Sequence, residues 1–148
     1  MIALHPEALA AIRAHGSRDY PNECCGLLLG TESGGRKVVS EAWPVANTWA
    51  DTEDETRRRR YRIGPEDMLA GQQYADGKSL DILGFYHSHP DHPARPSATD
   101  LKLAAYHFWS YMILSVEKGQ PAALTSWLMS EDRSKFEEEP VEICQPKS

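Results

Sequence analysis

The chain has 148 residues, 41% of them hydrophobic and 26% charged, enough for one domain with a real core and too few for two ordinary ones. Its net charge of −6 opposes the field of a nucleic-acid backbone, so no nucleic-acid partner is expected. No apolar run approaches the ~20 residues of a membrane span, so no membrane partner is expected either. The three cysteines, Cys24 and Cys25 adjacent, argue against a disulfide framework. The start lacks the basic and apolar stretches of a secretory signal, and the two features together point to a reducing cytoplasm.

A helix is expected over Leu4–His15, where Leu4, Ala8, Leu9 and Ile12 recur at helical spacing and Gly16 stands at the place of a C-terminal cap. Pro21-Asn22 marks a turn. Cys24–Leu29 is a short continuous apolar run ended by Gly30, the pattern of a buried strand, and Lys37–Val45 pairs with it as a hairpin. Asn47–Arg62 runs from acidic (Asp51, Glu53, Asp54, Glu55) to basic (Arg57, Arg58, Arg59, Arg60) without apolar periodicity. It reads as a mobile surface loop, its arginines either paired with its own acids or offered to a partner. Gly64-Pro65-Glu66-Asp67 opens a helix to about Ala75. Leu80–His89 is apolar on both faces and reads as a central strand, with Asp81, Leu83, Phe85, His87 and His89 on one side. A helix over Ala98–Trp109 and strands over Tyr111–Glu117 and Ala122–Met129 complete an α/β domain of residues 1–130. Residues 131–148 form a tail, with an edge strand possible from Phe136.

The chemistry concentrates in His87, His89 and Asp100. Histidines at i and i+2 of a strand share a face, and ten residues separate His89 from Asp100. Prolines at 90, 93 and 96 restrict the intervening loop and lower the entropy lost in bringing the acid back. Two imidazoles and a carboxylate make a three-ligand metal site whose fourth position stays open, as in catalytic zinc centres. Asp100 also has a purely structural reading, because Ser97-Ala98-Thr99-Asp100 fits a capping box. His92, in the loop, is an alternative ligand. His107 lies too far along the expected helix to share an ion, and His5 and His15 are expected on the surface of the first helix.

His87-x-His89, seven residues, then Ser97-x-x-Asp100 resembles the JAMM motif of the MPN-plus metalloproteases. The upstream Glu23-Cys24-Cys25-Gly26-Leu27-Leu28-Leu29-Gly30 is similar to that family's E-x-C-G-L-L-x-G strand. The resemblance implies a cytidine-deaminase-like MPN fold, a mixed curved β-sheet flanked by helices. It implies Zn2+ held by His87, His89 and Asp100, Glu23 as general base, and Ser97 as a donor to the oxyanion. It further implies hydrolysis of a peptide or isopeptide bond after the C-terminal Gly-Gly of a ubiquitin-like or sulfur-carrier protein, which would be the partner. Two other readings stand beside it. One is an inactive MPN-type binding scaffold, which the intact motif residues oppose. The other is a non-heme iron enzyme, whose usual ligand order sets the acid near the first histidine.

Overall fold

The computed structural model describes residues 1–53 and 55–145. The apolar run from Cys24 becomes strand β2 (Cys25–Ser33), which folds back on β3 (Arg36–Val45) through Gly34 and Gly35. Both glycines have positive φ, 58° and 78°, the twist that a two-residue hairpin turn needs and that side chains resist. On its other edge β2 pairs antiparallel with β4 (Asp81–Pro90), and β4 pairs in parallel with β5 (Ser110–Glu117). β4 therefore lies between two strands, and all of it beyond Asp81 is buried, as a strand apolar on both faces should be. Gly84 sits where β4 and β5 pass closest. A Cβ there would lie 1.9 Å from the Ser110 carbonyl oxygen, so only glycine fits.

Four more strands complete the mixed sheet: β1 (Ile2–Leu4) and β8 (Val141–Ile143) beyond β3, and β6 (Gln120–Met129) and β7 (Phe136–Glu139) beyond β5. The order is β7-β6-β5-β4-β2-β3-β1-β8. β7 and β8 occupy opposite ends of that order although only Pro140 separates them, so the sheet curls until its ends meet. A buried polar seam lies at the closure. Glu139, 5% exposed, accepts the Ser110 and Ser126 hydroxyls at 2.5 and 2.7 Å. Lys37 donates to Ser110 Oγ at 3.0 Å and to the Phe108 carbonyl. Helix α1 (Pro6–Asp19) sends Ala8 and Ile12 into one core with Leu28, Tyr86 and Leu114. Helix α2 (Pro65–Gly77) sends Ala75 into the other with Leu27, Leu29 and Phe85. Each fully buried side chain of this size contributes about 1.5–3 kcal/mol.

The structure departs from the sequence expectations in several places. Residues 2–4 form a strand, which takes Leu4 out of the expected helix. α1 runs on through Gly16, which is no cap: its Cα faces Leu114 so closely that a Cβ would lie 2.7 Å from Leu114 Cδ2. His15 is buried and bonds the Tyr86 hydroxyl at 2.8 Å instead of facing solvent. β2 continues past Gly30 to Ser33 through a register shift that admits Gly30 against the Val38 backbone. The helix expected over Ala98–Trp109 stops at Leu103 as α3 (Ala98–Leu103), and Phe108 has a positive φ of 67°. His107 therefore lies in a loop rather than along a helix axis. A further irregularity breaks the alternation along β4. Leu83 packs with Tyr86 and Ile82 with Phe85, because the pairing with β2 slips between Leu28 and Leu29. The tail supplies two strands, one at each end of the sheet.

Candidate metal centre

Beyond the slip in β4 the alternation is regular, and it presents His87 and His89 on one face with Ser88 on the other. Ser88 grips the segment that carries Glu23. Its N–H donates to the Cys24 carbonyl at 3.1 Å, and its Oγ accepts the Cys24 N–H at 2.8 Å. After Pro90 the chain returns to α3, whose first turn holds Asp100. Asp100 Oδ2 lies 3.2 Å from His89 Nε2 and 3.6 Å from His87 Nε2, and the two Nε2 atoms are 3.1 Å apart. A tetrahedral ion with ligand bonds of ~2.0–2.1 Å has ligand–ligand edges of about 3.3 Å, so the cluster fits a metal ion without rearrangement.

The surroundings prepare these atoms for that work. His89 Nδ1 is 2.8 Å from the Pro93 carbonyl oxygen. A carbonyl only accepts, so Nδ1 carries the proton and Nε2 offers its lone pair to the cluster. Burial would raise the Asp100 carboxyl, but the His87 and His89 imidazoles beside it, together with the Ser97 N–H, overcome it and hold the group well below the usual carboxylate range. Burial lowers the His87 imidazole, against the pull of Asp100. The capping box is also present: Ser97 Oγ accepts the Asp100 N–H at 3.0 Å, and Asp100 Oδ2 accepts the Ser97 N–H at 2.8 Å. The two readings of this motif coincide, because the cap aims the same Oδ2 that faces the histidines. Among the described residues Ser97 Oγ is used only as an acceptor, which leaves its own hydroxyl proton available.

Glu23 is 5% exposed, and its Oε1 has no partner among the described residues. Burial first, then the charge of Asp100, pushes its carboxyl well above the ordinary value, with Arg60 and Arg59 offsetting part of this. The stretch from Asn47 to Arg62, expected as a mobile loop, is instead bonded to Glu23. The Glu23 N–H donates to the Arg57 carbonyl at 2.7 Å, and Asn47 Nδ2 donates to the Glu23 carbonyl at 3.0 Å. Its arginines do pair with its own acids, Arg57 with Asp51 at 3.3 Å and Arg60 with Glu55 at 2.8 Å. Tyr61 from this segment stacks on His87, ring centroids 4.4 Å apart. Beside Asp100 opens a cleft of about 430 Å³ walled by Tyr61, Ile63, Met68, Phe85, Leu103 and Tyr106.

His92 is exposed and stands outside the cluster. Sequence reasoning did not single out Asn47, Tyr61 or Ser88. The one available sign for Tyr61 was an apolar Tyr61-x-Ile63 pair closing an otherwise polar run. Nothing marked Asn47, whose value lies in backbone bonds across the fold.

A curled MPN-type sheet with two histidines and an aspartate converging at the end of its central strand defines a JAMM-type peptidase. Residues 5–130 match the family described as prokaryotic homologs of the JAB domain. The desampylase of Haloferax volcanii is 34% identical over 107 residues, 72% of each chain. The CysO-cysteine peptidase of Mycobacterium tuberculosis is 27% identical over 146 residues, 98% of this chain and 92% of its own. A solved structure of a protein from Desulfitobacterium hafniense superposes with a TM-score of 0.85 at 31% identity, covering 99% of this chain and 94% of that one. JAB1/MPN domains of known structure share the architecture. The chain belongs to the family of prokaryotic homologs of the JAB domain.

Proposed function

We propose that the protein is a zinc-dependent peptidase that cuts the peptide or isopeptide bond after the C-terminal Gly-Gly of a ubiquitin-like or sulfur-carrier protein. The catalytic unit is residues 1–130, with 131–148 an appended tail whose strands β7 and β8 complete the sheet. The observation that carries the reading is the convergence of His87, His89 and Asp100 close to a buried Glu23 whose Oε1 has no partner among the described residues. The names desampylase and CysO-cysteine peptidase among the relatives support the substrate class.

His87 and His89 would hold the ion through Nε2 and Asp100 through Oδ2. Zinc, when bound, polarises the scissile carbonyl and makes a water acidic near neutral pH. Glu23 takes the proton of the attacking water and passes it to the leaving nitrogen; its raised pKa brings proton affinity closer to the working pH. The free Ser97 hydroxyl proton points the oxyanion role to that residue. The cleft beside Asp100 suits an extended chain end, with the aromatic wall excluding water from the bond.

The test is a panel of ubiquitin-fold carriers extended beyond Gly-Gly, either through the main chain or through a lysine side chain, incubated with zinc-loaded protein and read by intact mass. Release of the extension, abolished by a chelator and restored by zinc, is the expected result. No cleavage of any carrier by protein that contains stoichiometric zinc would overturn the proposal.

A further inference from the structure

The two histidines of the cluster are oriented by different means. His89 is fixed by a hydrogen bond, Nδ1 to the Pro93 carbonyl at 2.8 Å. Metal-binding histidines as a rule have such a partner on the second ring nitrogen, since it sets tautomer and ring angle. His87 Nδ1 is buried and has none among the described residues. Polar contacts therefore reach the His87 ring only from its Nε2 side, in the cluster itself. What meets the His87 ring is Tyr61, nearly parallel to it at an interplanar angle of 20° and a centroid distance of 4.4 Å. Stacked rings resist the tilt that would carry Nε2 out of the cluster.

The peptide groups that flank Tyr61 are in turn bonded by Asn47. Asn47 Nδ2 donates to the Arg60 carbonyl at 2.9 Å, and Asn47 Oδ1 accepts the Arg62 N–H at 3.1 Å. These are the peptide groups on either side of Tyr61. The remaining capacity of the amide goes to the Glu23 carbonyl at 3.0 Å and the Trp49 N–H at 3.0 Å. With two donors and two acceptor positions in use, the amide has no spare bond. One asparagine thus sets the place of Tyr61 relative to the segment that carries Glu23.

We propose that Tyr61 is the positioning residue for His87, doing by stacking what the Pro93 carbonyl does for His89, and that Asn47 acts on the metal site only through Tyr61. The inference rests on the metal reading given above. Outer contacts of this kind are worth roughly 10–100-fold in metal affinity, and two residues acting along one line give non-additive losses.

The experiment is a double-mutant cycle on zinc affinity, by competition with a chromogenic chelator, with melting temperature recorded for each protein. Tyr61→Ala should weaken zinc binding roughly tenfold, and Tyr61→Phe, which keeps the ring, should restore it. Asn47→Ala should weaken binding to a similar degree, and the double variant should be no weaker than Tyr61→Ala. A purely structural role would lower the melting temperature and leave affinity alone, or make the losses additive; either result overturns the proposal. So would a Tyr61→Phe protein as weak as Tyr61→Ala. If Tyr61→Ala does not fold, Tyr61→Leu fills the space without a stack and takes its place. A parent protein that binds no zinc overturns the metal reading itself, whereas zinc held equally by parent and variants overturns this inference alone.

Discussion

Glu23→Gln separates what the site costs the fold from what it does. Glu23 is 5% exposed, with one carboxylate oxygen unpartnered. Burial and the Asp100 charge both raise its pKa above the ordinary 4.5, so the folded chain holds this proton more tightly than the unfolded chain. The associated stability is fully present below the unfolded pKa and is lost as pH rises through the folded value. At pH 8 the metal-free fold bears a buried charge or an unmet acceptor, a penalty of about 1–3 kcal/mol and more when the group is charged. Glutamine has nearly the same shape and never ionises. Metal-free Glu23→Gln should therefore exceed the parent by about 1–3 kcal/mol at pH 8. At roughly 2–4 °C per kcal/mol for a chain of this size, that is a melting temperature higher by about 2–12 °C. The advantage should shrink as pH falls toward 4.5, where the folded parent is protonated and the unfolded chain is about half protonated. Turnover of the zinc-loaded variant should fall by roughly 10²–10⁴. Calorimetry of chelator-treated parent and variant at both pH values measures the first effect, and intact-mass kinetics the second. A variant no more stable at pH 8, or one whose gain is the same at both pH values, refutes the electrostatic argument. Near-native turnover moves the base to another residue.

His87→Ala, His89→Ala and Asp100→Ala should each abolish zinc content in elemental analysis while retaining cooperative melting, because the two cores on either side of the sheet form without the ion. Ser97→Ala removes the acceptor of the Asp100 N–H. It should cost about 1 kcal/mol in urea melts, as cap losses do, and it should lower kcat more than it raises KM if the hydroxyl meets the oxyanion. Arg57 and Arg60 are already paired within their own segment, whereas Arg58 and Arg59 are exposed with no ion pair among the described residues. Changing Arg58 and Arg59 together to Ser should lower kcat/KM for a folded acidic carrier by roughly tenfold at low salt, and leave an unfolded peptide of the same scissile sequence unaffected. Equal loss for both substrates would assign those arginines to the fold instead.

The centre of the sheet was legible because each of its strands obeys one local rule. β2 and β4 are apolar runs bounded by turn residues, and a strand buried on both faces needs nothing else. The shared face of His87 and His89 was legible for the same reason, since i, i+2 on a strand fixes which side the histidines face. What failed were features decided by distant chain. Residues 2–4 are too few to show a period, and they pair because β3 and β8 supply edges. Gly16 looked like a cap by composition but was chosen for the approach of Leu114. The helix after Asp100 has good local propensity as far as Trp109, yet Tyr106 and Trp109 leave it to stack on each other and on Phe85, a tertiary preference that outweighs a few tenths of a kcal/mol per residue. The 47–62 segment read as mobile because it lacks periodicity. Its order comes from side-chain to backbone bonds, which leave no period to find.

The tripeptide His87-Ser88-His89 has two tasks that only a strand can combine. Its odd positions face the cluster. Its even position binds the Cys24 peptide through both Ser88 N–H and Oγ, and Glu23 is the next residue along that segment. The pairing of Cys25 with His87 in the β2–β4 register therefore sets where Glu23 lies relative to His87 and His89. A slip of one residue would turn Glu23 to the opposite face while leaving the triad intact. The irregularity between Leu28 and Leu29 lies beyond this pairing, further along β2, so the alternation can fail in the core without disturbing the site. The backbone around Glu23 is thus held twice, by Ser88 from β4 and by Asn47 from the polar loop, while its Oε1 has no partner among the described residues. The general base proposed above needs such an open acceptor on a fixed backbone.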